Sequence, residues 1–383
     1  MQVVSSSSSL TRQLTHYGAY LETHRTAIDR YDLGFGQLGV ALFFLYAYRL
    51  EGHPADLERA RDCFHDCLRG IGQGPTATSF LSATTEGLIF CHHYAGELGM
   101  EAEASVLVEA LNPLLRRHGK ALLRRRQLDP YTGAFAVGYA LLLTEAEPAT
   151  IDPYLAAIPT DASHLAAKDG RGRYHVPSGI SHGLAFYLLF ATEASRRFGG
   201  EKRRHLVAKL QSALLARLVD FHRHHCFFLD GKDYGKPSRL ALAYGDLGIL
   251  YALYRSAEYL QQSELAAQCL RWLATTGTRR SGREGAPTDN RLLYGYSGVH
   301  YFYATLGRRT GDPDLLRLAE YWEGRQVSAL ADLPVPSTGA GFNDYDYPAM
   351  QRVSFLEGGI GQLLAPIALR THSIDFTHQL YLL

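Results

Sequence analysis

The chain has 383 residues, 46% of them hydrophobic and 20% charged, a composition that supplies an ample core and excludes extended disorder. Its 39 basic and 38 acidic residues leave a formal net charge of +1, and the runs Arg124-Arg125-Arg126 and Arg203-Arg204 are short and scattered, so no basic stripe interleaved with stacking aromatics points to a nucleic-acid partner. Five cysteines without a CxxC pair suit buried, reduced thiols rather than a disulfide framework, and no run reaches the ~18 apolar residues of a membrane span.

Met1 to Leu10 holds the Ser5 to Ser9 tract but neither a basic start nor an apolar stretch of signal-peptide length, so a cytoplasmic location is expected. The first organised unit is Leu33-Gly34-Phe35-Gly36-Gln37-Leu38-Gly39 leading into Val40-Ala41-Leu42-Phe43-Phe44-Leu45-Tyr46, a glycine turn that opens a strongly apolar helix. The Gly-x-x-Gly spacing returns at Gly245-x-x-Gly248, Gly295-x-x-Gly298 and Gly358-x-x-Gly361, with degenerate copies at Gly87, Gly133 and Gly183. About seven units therefore recur every ~45 to 65 residues. Between them lie segments that alternate charged and apolar residues at helical spacing: Asp56 to Arg69, Glu201 to His222, Ser263 to Thr275 and Pro313 to Leu330. Helices apolar on all sides belong inside, amphipathic ones outside, and glycines at the inner starts permit close backbone approach. The expectation is an all-α fold, one (α/α) toroid domain over 1–383 with about seven helix pairs, interrupted by loops near 148–177, 227–237 and 333–348. Residues beside the glycine turns would then line a common cavity, where free first-turn N–H groups are on offer.

The phrases at those turns resemble the lanthionine synthetase C-like family over essentially the whole chain. Ser181-His182-Gly183 matches its Ser-His-Gly. Ser238-Arg239, then Tyr244-Gly245-Asp246-Leu247-Gly248, stands for its Arg-x-x-Trp-Cys-Tyr-Gly-x-x-Gly, and Leu293-Tyr294-Gly295-x-x-Gly298 for its Cys-His-Gly-x-x-Gly. Phe355-Leu356-Glu357-Gly358-Gly359-Ile360-Gly361 closes the series. The resemblance implies a toroidal cyclase that adds a peptide Cys thiol to dehydroalanine or dehydrobutyrine to form a thioether, the thiol being activated on zinc held by two Cys and one His. The matching positions here are Ala243, Leu293 and Tyr294. A zinc site needs about three N or S donors and an open position, so the family's zinc is expected to be absent and no other cofactor is called for.

The resemblance further implies His182 as acid/base, Arg239 toward the carbonyl or enolate, Tyr244 as hydrogen-bond donor and Asp129 as the residue that orients one of them. Ala243, Asp246, Leu293, Tyr294 and Tyr296 would line the substrate pocket. The implied partners are a precursor peptide with dehydrated Ser or Thr and, beside it, a dehydratase. Two readings stay open: a metal-independent cyclase, and a catalytically inactive peptide-binding or scaffold subunit. A toroidal carbohydrate enzyme ranks last, because paired carboxylates have only Asp129, Asp246, Glu86 and Glu357 to draw on near the turns.

Bland alternatives stand beside each residue. His182 can be a satisfied core histidine, and Arg239 with Asp246 or Asp129 a buried ion pair bracing the turns. His222-x-His224-His225-Cys226, Cys63-x-His65-x-Cys67 and Phe90-Cys91-His92-His93 read as packing and surface residues rather than ligand sets. The tyrosines at 294, 296, 301 and 303 read as core.

Overall fold

Each repeat is a pair of helices in the computed structural model, which describes residues 2–25, 28, 30–72, 80–144, 147–161, 165, 176–229, 237–331, 354–356 and 358–373. In chain order these are α1 (Gln2–His24), α2 (Gln37–Glu51), α3 (Pro54–Gly72), α4 (Phe80–Leu98), α5 (Glu101–Arg124), α6 (Ala134–Thr144) and α7 (Pro148–Ala157). They continue as α8 (Leu184–Phe198), α9 (Glu201–Leu215), α10 (Phe221–His224), α11 (Asp246–Leu260), α12 (Ser263–Thr276), α13 (Tyr296–Thr310), α14 (Pro313–Ala331) and α15 (Gly359–Thr371). Among the described residues there is no strand, only the isolated bridges Leu229–Pro237 and Arg239–Gly245. No described helix is long and apolar enough to cross a membrane.

The two helix types differ as their sequences require. In α2 every residue from Gln37 to Ala47 is buried, and burying a side chain the size of Phe43 or Phe44 contributes roughly 1.5–3 kcal/mol over leaving it exposed. α3 buries Cys63, Phe64, Cys67, Leu68 and Ile71 while Arg61, Asp62, His65 and Arg69 face water. The Cys63-x-His65-x-Cys67 phrase is therefore one packed stripe and one exposed histidine. Cys91 and Cys226 are likewise buried free thiols.

The described residues group into two compact units. One runs to Pro113 and resumes at Asp289; the other takes Leu114–Thr288. In the first, α13 packs on α15 and α15 on α2, with α14 and α3 as amphipathic partners and α1 laid against α14, α15 and α2. In the second, α8 packs on α11, and the pairs are α6 with α7, α8 with α9, and α11 with α12.

Three expectations need correction. The amphipathic segment from Glu201 stops at Leu215 rather than His222, because Arg217 turns inward: its guanidinium donates to the carbonyls of Val176 (2.8 Å) and Leu165 (2.6 Å) and to Ser178 Oγ (3.0 Å). Asp220 then caps the short α10 by accepting from His222 N at 3.0 Å. The interruption near 148–177 begins with a helix, α7, with Pro148 in its first turn where a missing N–H costs nothing. Gly87 lies inside α4, where a Cβ would press on Ile71 at 2.8 Å, so its glycine serves helix packing and not a turn. Beyond these, the N-terminal segment forms a helix for which no element had been assigned, α1, and it buries Leu10, Leu14, Tyr17 and Leu21. The loop expected at 333–348 lies outside the described residues, as do 230–236 of the loop at 227–237.

The turn before α2 carries an acid pair. Asp32 accepts from Phe35 N and Arg30 Nε at 2.7 Å each, and Glu86 of α4 accepts from Leu33 N at 2.7 Å. Burial, then the charge of Asp32, pushes the Glu86 carboxyl up from an ordinary 4.5 to about 8. The folded state thus holds a proton that the unfolded chain releases, and the stability it contributes, complete below pH 4.5, is lost as pH rises through 8. Glu86→Gln, which mimics the protonated acid, should melt with wild type at pH 5 and a few degrees above it at pH 9, about what a difference on the order of 1–2 kcal/mol gives. Parallel pH profiles of melting temperature for the two proteins would contradict this.

Candidate functional site

The second unit brings three glycine-led helix starts into use. At the head of α8 the chain doubles back so that Leu184 N donates to Pro177 O at 2.8 Å and Ala185 N to Ser178 O at 3.1 Å. Gly183, in extended backbone, occupies the fold of that turn, and a Cβ there would land on the carbonyl of Pro177. At the head of α11, Asp246 N donates to Arg239 O at 3.0 Å, and a Cβ on Gly245 would lie 2.6 Å from Ala241 O. Ser181 Oγ donates to Ala243 O at 3.1 Å and ties the two turns together.

What this folding presents is a histidine held by a carboxylate. His182 Nδ1 lies 2.6 Å from Asp129 Oδ2, with side-chain exposures of 28% and 33%, so His182 is an accessible group and not a core histidine. The other oxygen, Asp129 Oδ1, accepts from Tyr131 N (2.9 Å), Thr132 N (2.9 Å) and Thr132 Oγ1 (3.0 Å). Burial raises the Asp129 carboxyl, but the His182 bond and the two backbone N–H groups outweigh it and hold the acid down at about 2. An ionised carboxylate only accepts, so Nδ1 of His182 carries a proton, and in the neutral ring Nε2 bears the lone pair. The Tyr244 ring stacks on His182 at 5.6 Å and 25°, and the Tyr131 ring lies 5.5 Å from it at 54°. Asp129, His182 and Tyr244, expected together from distant motifs, are thus one cluster. Arg239 is exposed in the same turn that ends in Tyr244.

Asp246 does not line this cluster. It is 0% exposed, and its carboxylate accepts from Phe227 N (2.9 Å), Phe228 N (3.2 Å), Thr276 Oγ1 (3.1 Å), Ser238 Oγ and the Arg279 guanidinium. Its ion partner is Arg279 and not Arg239. Arg279 also donates to Ser238 O at 2.7 Å, so the pair clamps the loop that carries Arg239 and Tyr244. No motif marked Arg279; the only signal was an arginine 33 residues beyond Asp246, which no local pattern distinguishes.

Leu293, Tyr294 and Tyr296 belong to the first unit. Leu293 is buried, Tyr294 lies under the Arg291 guanidinium at 5.3 Å, and Tyr296 is 9% exposed, stacked on Trp322 of α14 at 6.1 Å and taking a bond from Arg325 at 3.3 Å. Tyr296, expected in the substrate pocket, is therefore packed against its amphipathic partner helix.

The donor chemistry does not fit a zinc site. Ala243 offers a methyl group with its carbonyl occupied by Ser181, Leu293 offers only aliphatic carbon, and Tyr294 a phenol. Among the described residues no three His, Cys, Asp or Glu side chains gather where they could hold a metal ion.

Residues 27–371 match the family model described as "Lanthionine synthetase C-like protein", with α1 lying before the match. Among solved structures, one titled "Nisin cyclase" aligns with a TM-score of 0.68 and 16% identity, covering 93% of this chain and 93% of that one. At that identity the likeness shows a shared fold, and the fold class is the all-α, (α/α) toroid class that the repeats led one to expect. No curated protein matches the chain.

Proposed function

Because the chain belongs to the lanthionine synthetase C-like family, we propose that it closes thioether rings in a ribosomally made peptide without a bound metal. In this reading His182 Nε2 takes the proton of a peptide Cys thiol. The thiolate adds to Cβ of a dehydroalanine or dehydrobutyrine, and the double-bond electron pair moves onto the neighbouring carbonyl as an enolate. Nε2–H then returns the proton to Cα, so the thiol hydrogen ends on carbon and nothing is oxidised or reduced. Tyr244 donates a hydrogen bond, Arg239 offsets the enolate charge, and Asp129 holds the imidazole tautomer.

The observation that carries the reading is the 2.6 Å Asp129–His182 pair beside Tyr244. A free thiol with pKa ~8.5 is a few per cent ionised at neutral pH, so doing without metal activation costs about 2 kcal/mol through the thiolate fraction. Holding the two reacting groups together supplies up to ~7–11 kcal/mol, so positioning outweighs the missing ion. The replacement of donors by Ala243 and Leu293 favours a second reading, a peptide-binding subunit without activity that works beside a dehydratase.

Chelator-treated protein, checked for metal content, incubated with dehydrated precursor separates the two. Ring closure removes thiols that N-ethylmaleimide would otherwise label. Unchanged labelling with measurable precursor binding would leave the inactive reading in place.

A further inference from the structure

A chain of buried polar side chains runs through the first unit and ends at a cavity. Asn290, ahead of α13, donates from Nδ2 to Gln362 Oε1 of α15 at 3.2 Å, and its Oδ1 accepts from Ser297 Oγ at 3.0 Å. Ser297 Oγ in turn accepts from Gln326 Nε2 of α14 at 3.0 Å, which turns Gln326 Oε1 toward His300 Nδ1 of α13. Asn290, Ser297, His300 and Gln326 are each at most 6% exposed, and burying such groups costs free energy unless they are bonded. The bonds fix donor and acceptor along the whole chain. An amide oxygen only accepts, so His300 Nδ1 carries a proton. Burial lowers the His300 pKa below an ordinary 6.5, the ring is neutral, and Nε2 is left as an acceptor.

His300 lines a cavity of about 110 Å³ between α1, α13, α14 and α15, room for about four waters at ~30 Å³ each and well below the ~300–1,000 Å³ of drug-sized pockets. Leu10, Val327 and Leu369 give it an apolar side, and the exposed Arg308, Glu323 and Arg370 complete it. Arg308 donates to Leu369 O at 3.0 Å, and among the described residues Glu323 forms no ion pair with either arginine. Opposite charges that share a small cavity without pairing complement a ligand that carries both. A carboxylate matches the guanidinium groups, whereas an ammonium is drawn to Glu323 and can donate to His300 Nε2. We infer that this cavity binds a small free α-amino acid such as alanine, its ammonium between Glu323 and His300, its carboxylate on Arg308 and Arg370 and its methyl group on the apolar side. Inorganic phosphate would suit the arginines but set its charge against Glu323. The site lies wholly in the first unit, apart from the His182 cluster, and Leu10 belongs to α1, ahead of the family match.

The test is equilibrium dialysis of the full chain against radiolabelled L-alanine, with propionate, ethylamine, inorganic phosphate and leucine as competitors. Alanine should bind saturably, one per chain. Propionate and ethylamine each lack one charge and leucine exceeds the space, so all three, like phosphate, should compete at least tenfold less well than unlabelled alanine. Glu323→Gln and Arg370→Gln, both at exposed positions, should each weaken alanine binding at least tenfold with the melting temperature unchanged, and Val327→Phe, which fills the cavity, should abolish it. No saturable binding would overturn the inference. So would propionate, phosphate or ethylamine competing as well as alanine, since the cavity would then read a single charge. Undiminished binding in folded Glu323→Gln or Val327→Phe would place the amino acid elsewhere and overturn it too. His182→Ala should bind alanine as wild type does. Loss of ring closure with alanine binding intact therefore touches only the catalytic reading, and loss of alanine binding with ring closure intact touches only this one.

Discussion

Asp129→Asn is expected to slow metal-free ring closure by roughly 10²–10⁴-fold, the range for losing a general acid–base group, while circular dichroism and melting temperature change little. Three donors converge on Oδ1: Tyr131 N, Thr132 N and Thr132 Oγ1. In the variant the amide oxygen must take that position, which turns the NH₂ toward His182 Nδ1. Nδ1 is then forced to accept, the ring proton moves to Nε2, and the lone pair that would take the thiol proton is gone. His182→Ala should reduce closure at least as far, and His182→Gln should not restore it. Because the Asp129 carboxyl is held at about 2, below an ordinary 3.8, the stability it lends is present above pH 3.8 and lost only as pH falls through 2. A loss of rate between pH 5 and 7 in wild type would therefore report another group. Closure by Asp129→Asn at the wild-type rate, measured by loss of N-ethylmaleimide labelling, would remove the tautomer argument and the role of His182 with it.

Much of this arrangement was legible because repetition constrains it. Glycine followed by an apolar run marks the start of α2, α6, α8, α11, α13 and α15, since only a residue without a side chain lets the incoming loop cross its own helix N-terminus. Gly87 likewise precedes an apolar run, Leu88-Ile89-Phe90, but for a different reason, contact with Ile71, and that pattern alone cannot tell the two apart. α1 carried a readable stripe in Leu10, Leu14, Tyr17 and Leu21, masked by the serine tract. The pairing of His182 with Asp129 could be expected only through family phrases, because the two stand 53 residues apart and nothing local links them. Asp246 shows the limit of that route: standing next to a glycine turn suggested a pocket, whereas its contacts are set by Phe227, Phe228, Thr276 and Arg279, residues whose approach depends on tertiary packing.

Asp246→Ala should lower stability by roughly 3–5 kcal/mol, the cost of breaking a buried ion pair from one side. The residue is 0% exposed and the Arg279 side chain 1%, so the variant buries a guanidinium with no counter-charge, and the backbone N–H groups of Phe227 and Phe228 lose their acceptor at about 1–3 kcal/mol each when left unmade. Asp246→Leu/Arg279→Met, which removes both charges, should recover part of the loss. Recovery stays incomplete because the two N–H groups remain orphaned, and that residue of destabilisation separates the loop-clamping role from simple charge pairing. The consequence reaches the chemistry: Ser238, held by both partners, opens the loop that ends in Tyr244, so loosening it withdraws the ring stacked on His182. The double variant should therefore fold yet close rings slowly, with new proteolytic cleavage in the loop ahead of α11. Chemical denaturation midpoints for the three proteins decide it: a single variant as stable as wild type would show that Asp246 braces nothing, and full recovery in the double variant would reduce its role to neutralising Arg279.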